Sequence, residues 1–318
     1  MAPNVDPAIL EALGLDETNA KLVSHGGSGF SSTYNLVIEL IADSHICEHA
    51  SLNAIHDADP SLKLCPRSYA HGSLRSSPGK FFLATDFLEL GSSAPGGTGL
   101  SLAAKLAKLH TTPAPVPPGH DKPMYGFHVP TCCGATRQEN PWTESWAKFY
   151  ADHRLRAIMR EGIRQNRPDK ELNEAVEKVA SVVVPRLLGD GHLKGVYPVL
   201  IHGDLWSGNH GRARIGGEGG AEEVVFDPSC VYGHSEYELG IMRMFGGFGS
   251  SFWREYERLV PKAEPKEEYE DRLDLYELYH HLNHYALFGD GYRGGALSIA
   301  RRLIRKYGQS DSNQKSGL

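Results

Sequence analysis

Residues 200–209 have the sequence Leu-Ile-His-Gly-Asp-Leu-Trp-Ser-Gly-Asn, and residues 224–228 follow with Val-Val-Phe-Asp-Pro. The first segment is typical of an apolar strand that ends in a tight loop carrying an acid and an amide. The second is typical of a short buried strand that ends on another acid. These two segments decide the interpretation of the chain, because each places polar side chains directly after a predicted strand.

The spacing of Asp204 and Asn209 indicates a chemistry. They lie five residues apart, as do the Asp that accepts a substrate hydroxyl proton and the Asn that holds a metal ion in kinase catalytic loops. Asp227 stands where a second metal-binding carboxylate is expected. Phosphoryl transfer requires a carboxylate beside the attacking hydroxyl and hard oxygen ligands for Mg²⁺, so the pattern predicts a phosphotransferase. The alternative is an ordinary turn in which Asp204 accepts backbone N–H groups.

The motif at residues 202–209 resembles the catalytic loop of the fructosamine-3-kinase, or ketosamine-3-kinase, family. This family belongs to the protein-kinase-like superfamily, together with the aminoglycoside phosphotransferases. The resemblance extends over almost the whole chain. Further matching segments lie at residues 26–30, 131–142, 226–230, 232–236, 245–248 and 283–284.

The resemblance implies an α+β, two-lobed, protein-kinase-like fold with a small antiparallel β N-lobe and a mainly helical C-lobe. We expect residues 1–91 to form the N-lobe, which covers the nucleotide. Residues 92–307 then form the C-lobe, which carries catalysis and substrate binding, and residues 308–318 form a mobile tail. A Gly/Pro/Ser-rich linker at residues 92–97 marks the predicted boundary.

A glycine-rich segment near the N-terminus is predicted to cover the nucleotide phosphates. Its members are Gly26, Gly27, Ser28 and Gly29. Glycines let backbone amides approach phosphate oxygens closely, and a strand over residues 33–40 would close the hairpin. The alternative is a plain hairpin turn, because a Gly/Ser-rich turn is common without any phosphate.

The predicted N-lobe departs from the kinase pattern at its third strand, which normally bears a lysine that pairs with a helix glutamate. No Lys or Arg occurs from residue 22 to residue 62, although Glu48 matches the helix glutamate. We therefore expect the third strand to be shortened or missing. The chain is then either a shortened copy or an atypical kinase.

The resemblance also assigns nucleotide and substrate contacts. Backbone groups of Asp86, Phe87 and Leu88 are expected to meet adenine, whereas the alternative for this segment is a plain core strand. Five residues are the expected substrate contacts: His202, Trp206, Gln138, Asn140 and Trp142. The last three could equally pack their loop onto the C-lobe. The histidines at 280, 281 and 284 have a spacing that could bind a metal, but we predict satisfied core histidines because no third ligand is evident.

Composition limits the partners. The net charge of −6 argues against nucleic acid as a partner. Five cysteines without a C-x-x-C pair favour a reduced compartment. The chain shows neither a secretory pattern at its N-terminus nor an apolar run near the ~20 residues of a membrane span, so a cytoplasmic protein without a membrane partner is expected, as a monomer or weak dimer.

The function that the resemblance implies is transfer of the γ-phosphoryl group of ATP, with Mg²⁺, to the 3-hydroxyl of a ribulosamine or fructosamine. The substrates would be glycated proteins or free ketoamines, and the reaction would be a step of deglycation repair. Two alternatives stay open at this stage. One is a nucleotide-poor pseudokinase or binding protein, and the other is a related phosphotransferase for aminoglycosides or choline-like alcohols.

Overall fold

A computed structural model describes residues 5–17, 20, 24–27, 32–34, 38–40, 44–93 and 95–309. The chain divides into two compact units, one of Met1–Leu109 with Gly208–Ser229 and one of His110–Ser207 with Cys230–Leu318. This grouping does not follow the predicted boundary after residue 91, so the functional division into lobes stays a prediction. Most of the predicted tail, residues 310–318, lies outside the described residues.

The described strands are β1 (Ser24–Gly27), β2 (Ser32–Tyr34), β3 (Ile38–Leu40), β4 (Ser68–Ser73), β5 (Phe81–Thr85), β6 (Leu88–Leu90), β7 (Thr131–Cys133), β8 (Thr136–Gln138), β9 (Val199–Ile201), β10 (His210–Ile215), β11 (Glu218–Val225) and β12 (Val231–Gly233). The described α-helices are α1 (Pro7–Leu13), α2 (Ser44–Ala58), α3 (Leu102–Thr111), α4 (Trp146–Tyr150), α5 (Ala157–Gln165), α6 (Lys170–Lys178), α7 (Val184–Leu188), α8 (Glu236–Phe245), α9 (Ser250–Leu259), α10 (Tyr269–Phe288) and α11 (Arg293–Tyr307). π-helical turns at Ala151–Arg156 and Val179–Val183 continue α4 into α5 and α6 into α7.

The first unit contains a five-stranded antiparallel sheet of order β1-β2-β3-β5-β4. Helix α2 packs against β4 and β5. The prediction of one strand over residues 33–40 is wrong, because Thr33 and Ile38 belong to two separate strands that pair antiparallel with each other. The third strand is therefore present but short, since β3 has three residues and pairs with β5. Its residues are Ile, Glu and Leu, so it lacks the usual lysine.

Local signals in the first unit act as the sequence indicates. Asp6 as a potential N-cap, Pro7 in the first turn and Gly14 beyond the end predict a short helix over residues 7–13. The structure confirms it: Asp6 accepts a hydrogen bond from Ala8 N at 2.8 Å, and Gly14 ends the helix at φ 64°. Ile9 of this helix packs on Phe82 and Ala84. The sheet therefore gains an apolar cover on this side.

A buried ion pair fixes helix α3 to strand β11. Lys105 Nζ lies 2.8 Å from Glu222 Oε2, and both side chains are buried. The same ammonium donates to the carbonyls of Lys63 and Glu223, while the Thr98 hydroxyl donates to Glu222. A buried charge pair needs such additional partners to offset desolvation.

The second unit is mainly helical around α10, which packs against α5, α8 and α11. Its core is rich in aromatic rings, and several of their polar atoms are hydrogen-bonded. Trp146 Nε1 donates to the Tyr276 hydroxyl at 2.9 Å, and the Tyr150 hydroxyl donates to Leu275 O at 2.6 Å. Two antiparallel pairs complete the unit, β9 with β12 and β7 with β8.

The buried His234 makes the stability of this unit depend on pH. Its ring is buried and contacts the Tyr276 hydroxyl at 2.8 Å, and burial lowers the pKa of His234 to about 4, against an opposing effect of Glu236. Because the unfolded chain binds a proton below pH 6.5 and the folded chain does not, stability is lost as pH falls from 6.5 towards 4. We expect His234 to remove about 2 kcal/mol of unfolding free energy between pH 7 and pH 5.

Urea unfolding of the wild type and of His234→Gln at pH 7, 6 and 5 measures the contribution of His234 to the pH dependence of the unfolding free energy. The variant is expected to show the shallower pH slope. His120 is exposed, so His120→Gln serves as the control and keeps the wild-type slope. Equal slopes in the wild type and His234→Gln would contradict the assignment.

Candidate active site

The loop of residues 202–207 follows β9, whose ladder joins Ile201 to Val231 of β12. Glu238 of α8 holds this loop. Its buried carboxylate accepts from His202 N at 2.5 Å and from Gly203 N at 2.9 Å. The turn requires glycine at 203, where φ is 82°. The helix that follows β12 therefore fixes the backbone from which Asp204 projects.

Glu238 stays ionised in this setting. Burial alone would raise its pKa, but the neighbouring His110 ring, 3.6 Å away, and the bond from His202 lower it below the ordinary value. The ionised Glu238 carboxylate is therefore a strong hydrogen-bond acceptor for both loop amides.

Asp204 is half-buried and contacts strand β7. The Cys133 thiol donates to Asp204 Oδ1 at 3.4 Å. Burial, with the nearby Asp204 charge, raises the pKa of Cys133 well above its ordinary value, so the sulfur carries its proton. Asn283 Nδ2 donates to Cys133 O at 3.3 Å and fixes the strand end. The sequence matches included Cys133 and Asn283, but their contact across 150 residues has no local signal.

Gln138 and Asn140 lie in a buried hydrogen-bond network. Gln138 Nε2 donates to the Tyr279 hydroxyl, and Asn140 Nδ2 donates to Thr131 Oγ1 at 2.9 Å. Arg154 Nη2 donates to Asn140 Oδ1 at 2.7 Å. Each of the two amides is only 4% exposed. This arrangement supports the β7–β8 hairpin, and direct substrate contact by these two side chains stays a prediction.

The other expected substrate residues differ in exposure. Trp206 is 39% exposed and its ring lies 5.9 Å from that of Phe245. His202 is buried, and its Nδ1 accepts from Asp204 N at 3.3 Å. Trp142 is half-buried and stacks on Tyr232 at 6.1 Å. Of these three rings, that of Trp206 is therefore the most exposed.

Residues 245–248 pack closely on the catalytic loop. Gly247 has φ 90°, and a Cβ there would stand 2.4 Å from Ser207 Cβ. Glycine is thus required for both the backbone conformation and the close approach. This contact gives a physical reason for the Phe-Gly-Gly-Phe sequence that matched the family.

The two expected metal ligands belong to the first unit and flank one hairpin. Asn209 precedes β10 and Asp227 follows β11, and His210 pairs with Val225 at the hairpin ends. Phe226 N donates to Asn209 O at 3.0 Å. Asp227 adopts φ 55°, a left-handed conformation that is uncommon outside glycine and clusters at functional sites. The structure therefore places the backbones of the two expected ligands at the same end of one hairpin.

The expected nucleotide residues are partly described. Gly26 and Gly27 lie in β1, whereas Ser28 and Gly29 lie outside the described residues. Glu48 lies on α2 and is half-buried.

The segment expected to meet adenine joins β5 to β6. The Asp86 carboxylate accepts from Arg67 N at 2.9 Å and from the Tyr69 hydroxyl at 2.6 Å. Phe87 O accepts from Gly216 N, and Leu88 pairs with Ile215. Strand β6 thus belongs to the same sheet as the hairpin that carries Asn209 and Asp227.

The five-stranded sheet order, the Glu238-anchored loop and the Asn209/Asp227 hairpin define a kinase-like phosphotransferase. The chain belongs to the fructosamine kinase family, whose sequence model matches residues 39–306.

Named relatives agree with this membership, and a solved structure shares the fold. The chain is 38% identical to the protein-ribulosamine 3-kinase, chloroplastic, of Oryza sativa subsp. japonica over 258 residues, which cover 81% of this chain and 68% of that one. It is 42% identical to the ketosamine-3-kinase of Mus musculus over 182 residues, covering 57% of this chain and 54% of the mouse protein. A crystal structure of a candidate fructosamine-3-kinase from Thermobifida fusca shares the fold, with a TM-score of 0.70, 23% identity, and coverage of 95% of this chain and 98% of that one.

Within the described parts of the chain, every helix is too short or too polar to span a bilayer.

Proposed function

We propose that the protein is a ketosamine 3-kinase, which transfers the γ-phosphoryl group of ATP to the 3-hydroxyl of a ribulosamine or fructosamine. The observation that carries this proposal is Asp204 on a loop fixed by Glu238, within an octapeptide that matches the family. The substrates would be ketoamines on glycated proteins or on free amines. Phosphorylation at this position would yield a labile product and so initiate deglycation.

Asp204 is the proposed general base. Its carboxylate would accept the proton of the attacking hydroxyl, as phosphoryl transfer requires. The loop amides bonded to Glu238 hold the Asp204 backbone in place before substrate arrives, which favours a reactive geometry. Cys133 donates to one carboxylate oxygen and thereby orients the group.

The hairpin of the first unit is the proposed magnesium site. Asn209 and Asp227 offer the hard oxygen donors that Mg²⁺ prefers, and Phe226 N bonded to Asn209 O keeps the two chain segments adjacent. When bound, ATP would supply the phosphoryl group, and Mg²⁺ would neutralise charge on the phosphate oxygens. The described glycines Gly26 and Gly27, with Ser28 and Gly29, would contribute backbone amides to the phosphates.

The exposed ring of Trp206 is the proposed contact for the amine end of the substrate. A ketoamine carries a protonated secondary amine, and a cation over an indole face is stabilised by roughly 0.5–1 kcal/mol at an exposed site. Trp206 lies two residues from Asp204, with Phe245 behind it. Gln138 and Asn140 would act indirectly, by holding the hairpin that carries Cys133.

Acceptor specificity tests the proposal. Initial rates with ATP and Mg²⁺ are to be compared for ribulosamine-modified lysine, unmodified lysine, an aminoglycoside and choline. We expect phosphate transfer to the ribulosamine, and none to unmodified lysine. Preference for the aminoglycoside or choline would assign the other phosphotransferase class, and no transfer to any acceptor would favour the binding-protein alternative.

A further inference from the structure

Three metal-binding side chains converge beside the catalytic loop. The Cys133 sulfur, a carboxylate oxygen of Asp204 and a ring nitrogen of His280 all lie within 4.8 Å of one another. They come from β7, from the loop after β9 and from the middle of α10. All three belong to the second unit.

His280 is the unexplained member of this cluster. Its side chain is fully buried between aromatic rings, stacked on Tyr237 and edge-on to Tyr279. Neither ring nitrogen has a hydrogen-bond partner among the residues that the structure describes. The prediction of a satisfied core histidine is therefore wrong for His280. A buried polar group without a partner costs free energy, so a ligand on this nitrogen would offset that cost.

We propose that Cys133, Asp204 and His280 form a binding site for Zn²⁺, distinct from the magnesium ligands of the reaction. Thiolate, imidazole and carboxylate are the donors that zinc selects, whereas Mg²⁺ prefers oxygen donors alone. A tetrahedral zinc with Zn–S near 2.3 Å and Zn–O near 2.0 Å places the two ligand atoms about 3.5 Å apart. The observed Cys133 to Asp204 distance is 3.4 Å.

The site has the form of a three-ligand centre with one open position. Asp204 is half-buried and is the most accessible of the three ligands, because the other two are fully buried. On binding, the Cys133 thiol releases its proton to solvent water and its sulfur forms the bond to zinc. His280 binds in its neutral form, which burial already favours.

Zinc at this site occupies the carboxylate that would accept the substrate proton. This consequence rests on the proposed function, whereas zinc binding itself does not. The result is inhibition that excess Mg²⁺ does not relieve, because Mg²⁺ competes poorly for thiolate and imidazole. A zinc-selective chelator would restore activity.

Cobalt binding provides a test that is independent of activity. Titration of the purified protein with Co²⁺ is to be followed by the thiolate-to-cobalt absorption in the near ultraviolet, for the wild type, Cys133→Ser and His280→Leu. We expect one Co²⁺ per chain with thiolate absorption in the wild type. Cys133→Ser is expected to lose the absorption, and His280→Leu to lose more than about tenfold in affinity.

Cys132→Ser is the matched control, because Cys132 is the adjacent thiol but lies outside the cluster. It is expected to bind like the wild type. The proposed site would be refuted if the wild type showed no thiolate absorption. It would also be refuted if Cys133→Ser kept the absorption.

The inhibitory consequence is tested by adding Zn²⁺ to the kinase assay in excess Mg²⁺. Inhibition is expected in the wild type and in Cys132→Ser, and not in Cys133→Ser at the same zinc concentration. Equal inhibition of all three proteins would contradict inhibition through the proposed zinc site. Thiolate absorption in a protein without kinase activity would support the metal site while refuting the proposed function.

Discussion

Asp204→Asn is expected to lower kcat for ketoamine phosphorylation by about 10²–10⁴-fold, the contribution typical of a positioned general base. The amide cannot accept the hydroxyl proton but retains an oxygen to which the Cys133 thiol can donate. Loop geometry is therefore preserved, and the KM values for ketoamine and ATP are expected to change little. Steady-state kinetics with both substrates varied will measure the separate effects on kcat and KM.

Asp121→Asn is the matched control for this experiment. Asp121 is an exposed acid of the same unit, so its replacement removes the same charge away from the loop. It is expected to keep wild-type kcat. If Asp204→Asn retains more than about a tenth of wild-type kcat, another group must act as the base.

The second large effect is on stability. Arg272→Met is expected to lower the unfolding free energy by about 3–5 kcal/mol. Arg272 is fully buried, and its guanidinium binds both oxygens of Glu236, at 2.7 Å from Nε and 3.0 Å from Nη2. It also donates to the carbonyls of Pro265 and Ala263. The substitution would leave a buried carboxylate without its cation, and urea unfolding at pH 7 will measure the loss.

Arg243→Met provides the comparison at the surface. Arg243 also pairs with carboxylates, those of Glu270 and Asp274, but its side chain is 37% exposed. Exposed ion pairs contribute roughly 0–1 kcal/mol, so a much smaller change is expected. In the double variant Glu236→Gln with Arg272→Met, the buried charge is also removed, and part of the loss is expected to be regained. A loss from Arg272→Met no larger than from Arg243→Met would contradict this account.

Local sequence signals explain how much of the fold was predictable. Helix α1 was predicted with both caps because Asp6, Pro7 and Gly14 act within a few residues of one another. The separation of β2 from β3 was missed, because two three-residue strands are too short to show an alternation of their own. The lysine-free third strand could be expected from composition, but only strand pairing shows that it is present.

The candidate site was predictable in its residue types and less so in its contacts. The strand ends carrying Asp204, Asn209 and Asp227 follow from residues 200–228, since hydrophobic runs and turns are local. The reach of Glu238 to the loop amides depends on packing between β9 and α8, which no local pattern encodes. The same holds for the convergence of Cys133, Asp204 and His280, because they are distant in sequence.

The position of the transferred phosphate tests the central claim most directly. Ribulosamine-modified lysine is to be incubated with ATP, Mg²⁺ and the protein, and the product analysed by two-dimensional ³¹P–¹H NMR. The account predicts a single phosphate coupled to the proton on sugar carbon 3, followed by breakdown that releases free lysine. Phosphate on a different hydroxyl, or a product that stays intact alongside the unphosphorylated substrate, would contradict a ketosamine 3-kinase.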